Sequence, residues 1–186
     1  MPIFAPSITA GMDKAIYFEK YRALRNEIDD TCDRLSKMHV GKMQCRQGCD
    51  SCCEKFSVFP LEFEAIKEVI QSDGTFQVPQ QRNFEKFRKS CLFLKDGSCS
   101  MYEHRPIICR TQGFPLLYQS GDGTAYELSV CRLNFKEINV DTFHDGNALF
   151  MPPFNSRLYL LNQEFVKKFY PKQFKPNTRI GLSELI

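Results

Sequence analysis

The stretch CRQGCDSCC, residues 45 to 53, places four sulfur atoms in nine positions. Four more cysteines, Cys91, Cys99, Cys109 and Cys131, are spread over the forty-one residues from 91 to 131. Thiolates are soft ligands and nucleophiles, so this set could bind a metal, react, or pair as disulfides. A structural zinc ion takes four ligands, commonly all thiolate. The eight cysteines Cys45, Cys49, Cys52, Cys53, Cys91, Cys99, Cys109 and Cys131 exceed the need of one zinc ion. They suit two zinc ions, one iron–sulfur cluster with thiols to spare, or two four-cysteine clusters. Cys52 and Cys53 are consecutive, and consecutive side chains usually point apart. The pair is expected to serve two nearby sites, or to keep one member free to react. Long spacings carry less information, so Cys53, Cys91 and Cys131 could also be buried thiols.

Neither zinc nor iron is singled out by spacing. Only Cys49-x-x-Cys52 has the knuckle spacing of a zinc ribbon, and the ferredoxin run ending in Cys-Pro is absent. Cys45-x3-Cys49-x2-Cys52 matches the three-cysteine motif of radical S-adenosylmethionine enzymes. Ser51 stands where those enzymes usually carry an aromatic, and the chain lacks the βα alternation of their barrel. Gly48 before Cys49 and Gly97 before Cys99 permit the tight backbone a metal knuckle needs. A thiolate cluster is anionic, and nearby cations stabilise it. Arg46, Arg105, Arg110 and Arg132 are placed to do so, or to form ordinary surface ion pairs. His104 is expected beside the site rather than on the metal, since thiolates already oversupply it. His39 ends a helix, where a cation is favourable, and His144 is expected in a turn. Glu62 and Glu64 fall at a helix start, where the dipole favours acidic residues. No Gly-rich phosphate loop or serine nucleophile elbow is present.

The 186 residues are enough to bury a core as a single domain. A net charge of +3 does not demand a polyanionic partner. With 17 Phe and no Trp, Phe is expected to dominate the core. No apolar run approaches the length that spans a bilayer, and the first residues make a poor signal peptide. The expected setting is the cytoplasm, where cysteines stay reduced. Nine cysteines is an odd count, and adjacent ones bridge only with strain, which disfavours disulfides.

The positioning elements follow from periodicity. Tyr21, Leu24, Ile28, Cys32 and Leu35 recur at helical steps, predicting a helix from about Asp13 to Met38 with Gly41 as its stop. Cys32 lies on that stripe and is set aside as core. KFSVF is extended, and Pro60 opens a second helix with Ala65, Ile66, Val69 and Ile70 inward and Gly74 at its end. A short third helix is expected over Gln81 to Ser90, with Phe84 and Phe87 inward. Residues 91 to 113 look irregular. PLLYQS and TAYELSV around GDG predict a β-hairpin, which returns Cys131 towards Cys109. A last helix is expected from Asn155 as N-cap to just before Pro171, with Leu158, Leu161, Phe165 and Phe169 inward. The tail, 171–186, is basic and expected to be loosely ordered. Lys167, Lys168, Lys172 and Lys175 alternate with aromatics, which reads as a solvated helix edge rather than a nucleic-acid surface. The fold class is therefore mainly α with a small β-hairpin, its irregular cysteine-rich loops gathered around a metal site.

CRQGCDSCC followed by CLFLKDGSCSMYEHRPIICR resembles the CxxCxxCC cysteine-cluster family, described as zinc- or iron-chelating. Cys45, Cys49, Cys52 and Cys53 match its first cluster. Cys91, Cys99, Tyr102, Arg105, Pro106, Cys109 and Arg110 match its second part, and Cys131 its trailing cysteine. The resemblance spans residues 45–131. Three residues rather than two separate Cys45 from Cys49, and Thr-Gln-Gly-Phe-Pro follows Arg110 where the family goes quickly to Phe-Pro. The resemblance implies chelation of zinc or iron through the eight cysteines, an iron–sulfur cluster included. Flagellin lysine N-methylases are distantly similar in their cluster region, which is an iron–sulfur site used with S-adenosylmethionine. The alternative expectation is thus an iron–sulfur enzyme doing redox or S-adenosylmethionine-dependent chemistry. The expected partner is the metal ion; no partner protein is legible.

Overall fold

The computed structural model describes residues 8–72 and 91–185. In chain order the elements are α1 (Ile8–Met38), β1 (Ser57–Val58), α2 (Pro60–Ser72), β2 (Leu94–Lys95), β3 (Ser98–Cys99), α3 (Ile107–Arg110), β4 (Leu116–Gln119), β5 (Tyr126–Ser129), β6 (Leu149–Phe150), α4 (Pro152–Phe169) and β7 (Ile180–Gly181). Short 3-10 turns lie at Tyr102–His104, Val140–Thr142 and Leu182–Leu185. The helix expected over Gln81 to Ser90 and the stop at Gly74 lie outside the described residues.

The apolar stripe of α1 is buried along its length. Tyr21, Leu24, Ile28, Cys32 and Leu35 face the main core with Phe18. Across from them sit Phe59, Leu61, Ile107, Leu116, Leu149, Met151, Leu158 and Phe165. The helix begins at Ile8, earlier than the periodicity suggested, and Gly41 follows its end at φ 79°. Pro60 opens α2 as expected. The last helix starts three residues before Asn155, with Met151 as N-cap and two prolines in its first turn. Prolines fit there because the first helical N–H groups have no intrahelical partner. Asn155 N–H already donates to Met151 O at 2.9 Å, inside the first turn.

The hairpin forms with Leu116 opposite Ser129 and Gln119 opposite Tyr126. A third strand, β6, lies parallel to β4, pairing Leu116 with Leu149. Two further pairs occur, β2 with β3 and β1 with β7. The fold is therefore mixed α and β rather than mainly α with one hairpin. Strands two residues long carry no alternation to read, which is why the sequence hides them.

The tail corrects a second expectation. Instead of lying loose, it returns across the molecule. Pro176 O accepts from Asn162 Nδ2 at 2.8 Å, and Leu182 N–H donates to Phe56 O at 3.0 Å. Gly181 pairs with Ser57, and Ile180 and Leu182 are buried in a second core with Val58, Phe63, Ile66, Phe93 and Met101. Lys168 does sit on a solvated edge, bonded to Asp13 at 3.0 Å.

Glu62 joins these parts. Its carboxylate is 2 % exposed and accepts from Tyr21 Oη on α1 at 3.0 Å. It also accepts from the N–H of Phe59 at 3.2 Å and of Ile107 at 3.3 Å. The first of these bonds is the back-reaching arm of a capping box for α2; the second satisfies the opening N–H of α3. Leu61 N–H, on the next free donor of α2, is taken by buried Asn162 Oδ1 at 3.1 Å. So the two helix starts nearest the cysteine loops are capped by side chains from elsewhere in the fold.

Two outcomes test this frame. Ile180→Ala should cost about 2–5 kcal/mol in denaturant unfolding, as for a core residue; an unchanged midpoint would mean the tail is not docked. Burial raises the Glu62 pKa, against the pull of its N–H and Tyr21 donors. The folded state therefore binds a proton more readily than the unfolded one, and stability rises as pH falls through that raised value, levelling near the ordinary carboxylate value of about 4.3. Glu62→Gln should flatten that rise.

Candidate metal centre

The two cysteine batches meet through their backbones. Gly48 N–H donates to Gly97 O at 3.2 Å, and Cys91 N–H donates to Cys53 O at 3.0 Å. A Cβ on Gly97 would fall 3.2 Å from Gly48 Cα, so the two glycines allow this close approach. Gln47 Nε2 adds a 3.3 Å bond to Ser98 Oγ. The region expected to be irregular holds a hairpin, with Leu94 opposite Cys99. Its turn is Asp96-Gly97, both at positive φ, the pattern of a two-residue hairpin loop. The DG dipeptide was the signal for it.

The thiols fall into two neighbourhoods. Cys45 is exposed and accepts from Asn134 Nδ2 at 3.3 Å. That amide also donates to Gly113 O at 2.7 Å, while Asn134 Oδ1 accepts from Gln44 N–H at 2.7 Å. Asn134 N–H closes a turn onto Cys131 O at 2.9 Å. Burial pushes the Cys45 thiol up, Asn134 draws it back, and the nearby thiols of Cys49, Cys131 and Cys52 push it up again. The other neighbourhood packs against the second core through Cys91, Cys99 and Cys109. Burial, then Cys91 and Cys99, push the Cys109 thiol up to about 12. Burial also raises Cys91 and Cys99, offset by N–H donors of Phe93 and Met101 respectively. Such N–H groups favour the thiolate a metal requires. The hairpin returns the chain so that Cys131 stands among the thiols that act on Cys45.

Cys52 and Cys53 act on each other, which holds the Cys52 thiol up and pulls the Cys53 thiol down. The neighbours of Cys53 are Cys99, Cys91 and Cys109, whereas Cys52 neighbours Cys45. The pair therefore stands where the two neighbourhoods touch. Cys32 is 6 % exposed on α1, its thiol pushed up to about 12 by burial and by Asp29 and Asp33.

The arginines divide by role. Arg110 is an anchor: its side chain is 8 % exposed, bonds Asp29 of α1 at 2.5 Å and donates to Glu103 O and, at 2.7 Å, to Arg105 O. Arg105 stacks on Tyr102 at 3.5 Å and favours the thiolates of Cys52, Cys99 and Cys109. Arg46 and Arg132 are exposed. His39 is buried against Phe135 and Phe143, its Nε2 2.7 Å from Asn147 O, and His144 occupies an exposed turn. Glu64 accepts from Tyr170 Oη at 2.5 Å and Lys14 Nζ at 3.3 Å. Both acidic candidates are thus engaged in structure. Asn134 was missed from the sequence; its only trace is its place three residues after Cys131.

Residues 44–132 match the family model CxxCxxCC, described as "Putative zinc- or iron-chelating domain". This region is similar to that family over these residues. Neither a curated protein nor a solved structure matches the chain. Among the described residues, no three His, Cys, Asp or Glu side chains stand in a geometry that would hold an ion. The chemistry of the donor set nevertheless fits one: thiols in groups, N–H donors aimed at their sulfurs, and a guanidinium nearby. Gly113 supplies a cradle, since a Cβ there would lie 2.4 Å from Cys45 Sγ. For protonated thiols to bind, the CxxCxxCC cysteines must release protons and turn inward together.

Gly113→Ala forces that Cβ into Cys45 at a φ of 93°, and should cost about 1–3 kcal/mol in denaturant unfolding. Gly121→Ala, which meets open space, should cost far less. Equal midpoints would mean that Cys45 is not seated against Gly113.

Proposed function

We propose that this chain chelates zinc or iron through Cys45, Cys49, Cys52, Cys53, Cys91, Cys99, Cys109 and Cys131. The observation that carries the reading is the backbone junction of the two cysteine batches, Gly48 to Gly97 and Cys53 to Cys91. Residues from both sides of the chain segment 54–90 are thereby brought within side-chain reach of each other. A bound ion would add a cross-link between these loops, so its binding energy is folding energy. The reducing interior of a cell suits such a thiol set. Asn134, Arg105 and the Phe93 and Met101 N–H groups would hold and neutralise the ligands.

A second reading, an iron–sulfur enzyme with redox or S-adenosylmethionine-dependent chemistry, draws on one feature. Cys52 and Cys131 line a cleft of about 790 Å³ floored by Phe59, Met151 and Leu158, which gives a reactant room beside sulfur.

Purification without oxygen identifies the metal. Stoichiometric iron with sulfide and a brown colour favour the cluster; a colourless zinc protein unchanged in air removes it. Chelator treatment should loosen the loops around 45–53 and 91–131 while α1 and α4 persist, seen by hydrogen exchange. Cys32→Ser should keep its metal, whereas Cys49→Ser should lose some. A Cys32→Ser variant without metal would show that the core thiol is a ligand.

A further inference from the structure

We propose that the eight cysteines form two separate four-thiolate sites. The inner site is Cys53, Cys91, Cys99 and Cys109; the outer is Cys45, Cys49, Cys52 and Cys131. The inner ion is structural and the outer ion is exchangeable. This division rests on the chelation reading and assigns its ligands.

The inner group is defined by packing. Cys91, Cys99 and Cys109 pack against the second core, whose buried members include Phe93, Met101 and the docked tail residues Ile180 and Leu182. Cys53 is tied to this group by its carbonyl, which accepts from Cys91 N–H. The outer group is defined by a different side chain. Asn134 holds Cys45 through its amide and Cys131 through its backbone N–H. The outer thiols also face open space. Cys52 and Cys131 line the 790 Å³ cleft, Cys49 lines a second cavity of about 800 Å³ beside Lys42 and Arg46, and Cys45 is exposed. No inner cysteine lines either cavity.

The adjacent pair explains why two consecutive cysteines are used. One peptide bond hands successive thiols to two sites that touch, which no single spaced cysteine could do. Two tetrathiolate zinc sites side by side each carry net negative charge and repel one another. Arg105 sits near Cys52 of the outer site and near Cys99 and Cys109 of the inner one, so its cation serves both.

The test uses the full chain, reconstituted with zinc under reducing conditions and freed of excess metal. About two ions per chain are expected, one for each set of four thiolates. The double variant Cys45→Ser/Cys131→Ser should retain one ion, with its thermal midpoint close to that of the parent chain. Cys91→Ser/Cys109→Ser should also retain one ion, with a lowered midpoint. A chelator should withdraw zinc from the unsubstituted chain in two equal phases, of which the outer variant keeps only the slower. That last measurement stands even if the inner variant fails to fold. Loss of all zinc from the outer variant, or a single phase of release, overturns the division and points to one shared cluster. An unsubstituted chain that holds no zinc and no iron overturns the chelation reading itself.

Discussion

A buried carboxylate organises this molecule. Glu62 lies where α1, the start of α2 and the start of α3 converge, and it accepts one hydrogen bond from each. A carboxyl group buried there is tolerable because all three donors meet it; leaving a buried polar group without its partner typically costs about 1–3 kcal/mol. Cys109 sits two residues beyond Ile107, whose N–H Glu62 holds. A core interaction thus fixes the short helix that carries a candidate ligand. Arg110, the next residue, repeats the device at the other end of α3 by pairing with Asp29 of α1. The loops are irregular, but both ends of the short helix between them are bolted to the longest one.

Electrostatics set the condition under which the thiols can act. Burial and mutual proximity raise Cys45, Cys91, Cys99 and Cys109, which keeps them protonated at neutral pH. Neighbouring N–H groups and Arg105 work in the other direction. The balance suits a ligand set that gives up its protons to a cation rather than to water. Cys53 differs, because the adjacent Cys52 thiol draws it down.

Much of this was legible in the sequence, for physical reasons. The stripe of α1 and the GDG hairpin follow from periodicity and turn chemistry, which act locally. The ligand candidates follow from residue type. The grouping of thiols does not, because sequence distance says nothing about which loops close on each other: Cys131 belongs beside Cys45, far from it in the chain. Asn134 escaped notice because an amide is informative only once its partners are known. The docking of Ile180 and Leu182 escaped because two apolar residues after a basic stretch carry no period.

The pairing of β1 with β7 has a consequence for the order of events in a growing chain. Ser57 meets Gly181, so the wall behind Cys91, Cys99 and Cys109 cannot close until nearly all of the described chain has been synthesised. All eight loop cysteines leave the ribosome before that. During translation they are therefore present on a nascent chain whose second core is incomplete. Pairing across so long a separation is slow to form. The interval leaves Cys91, Cys99 and Cys109 open to a cation before the second core closes behind them.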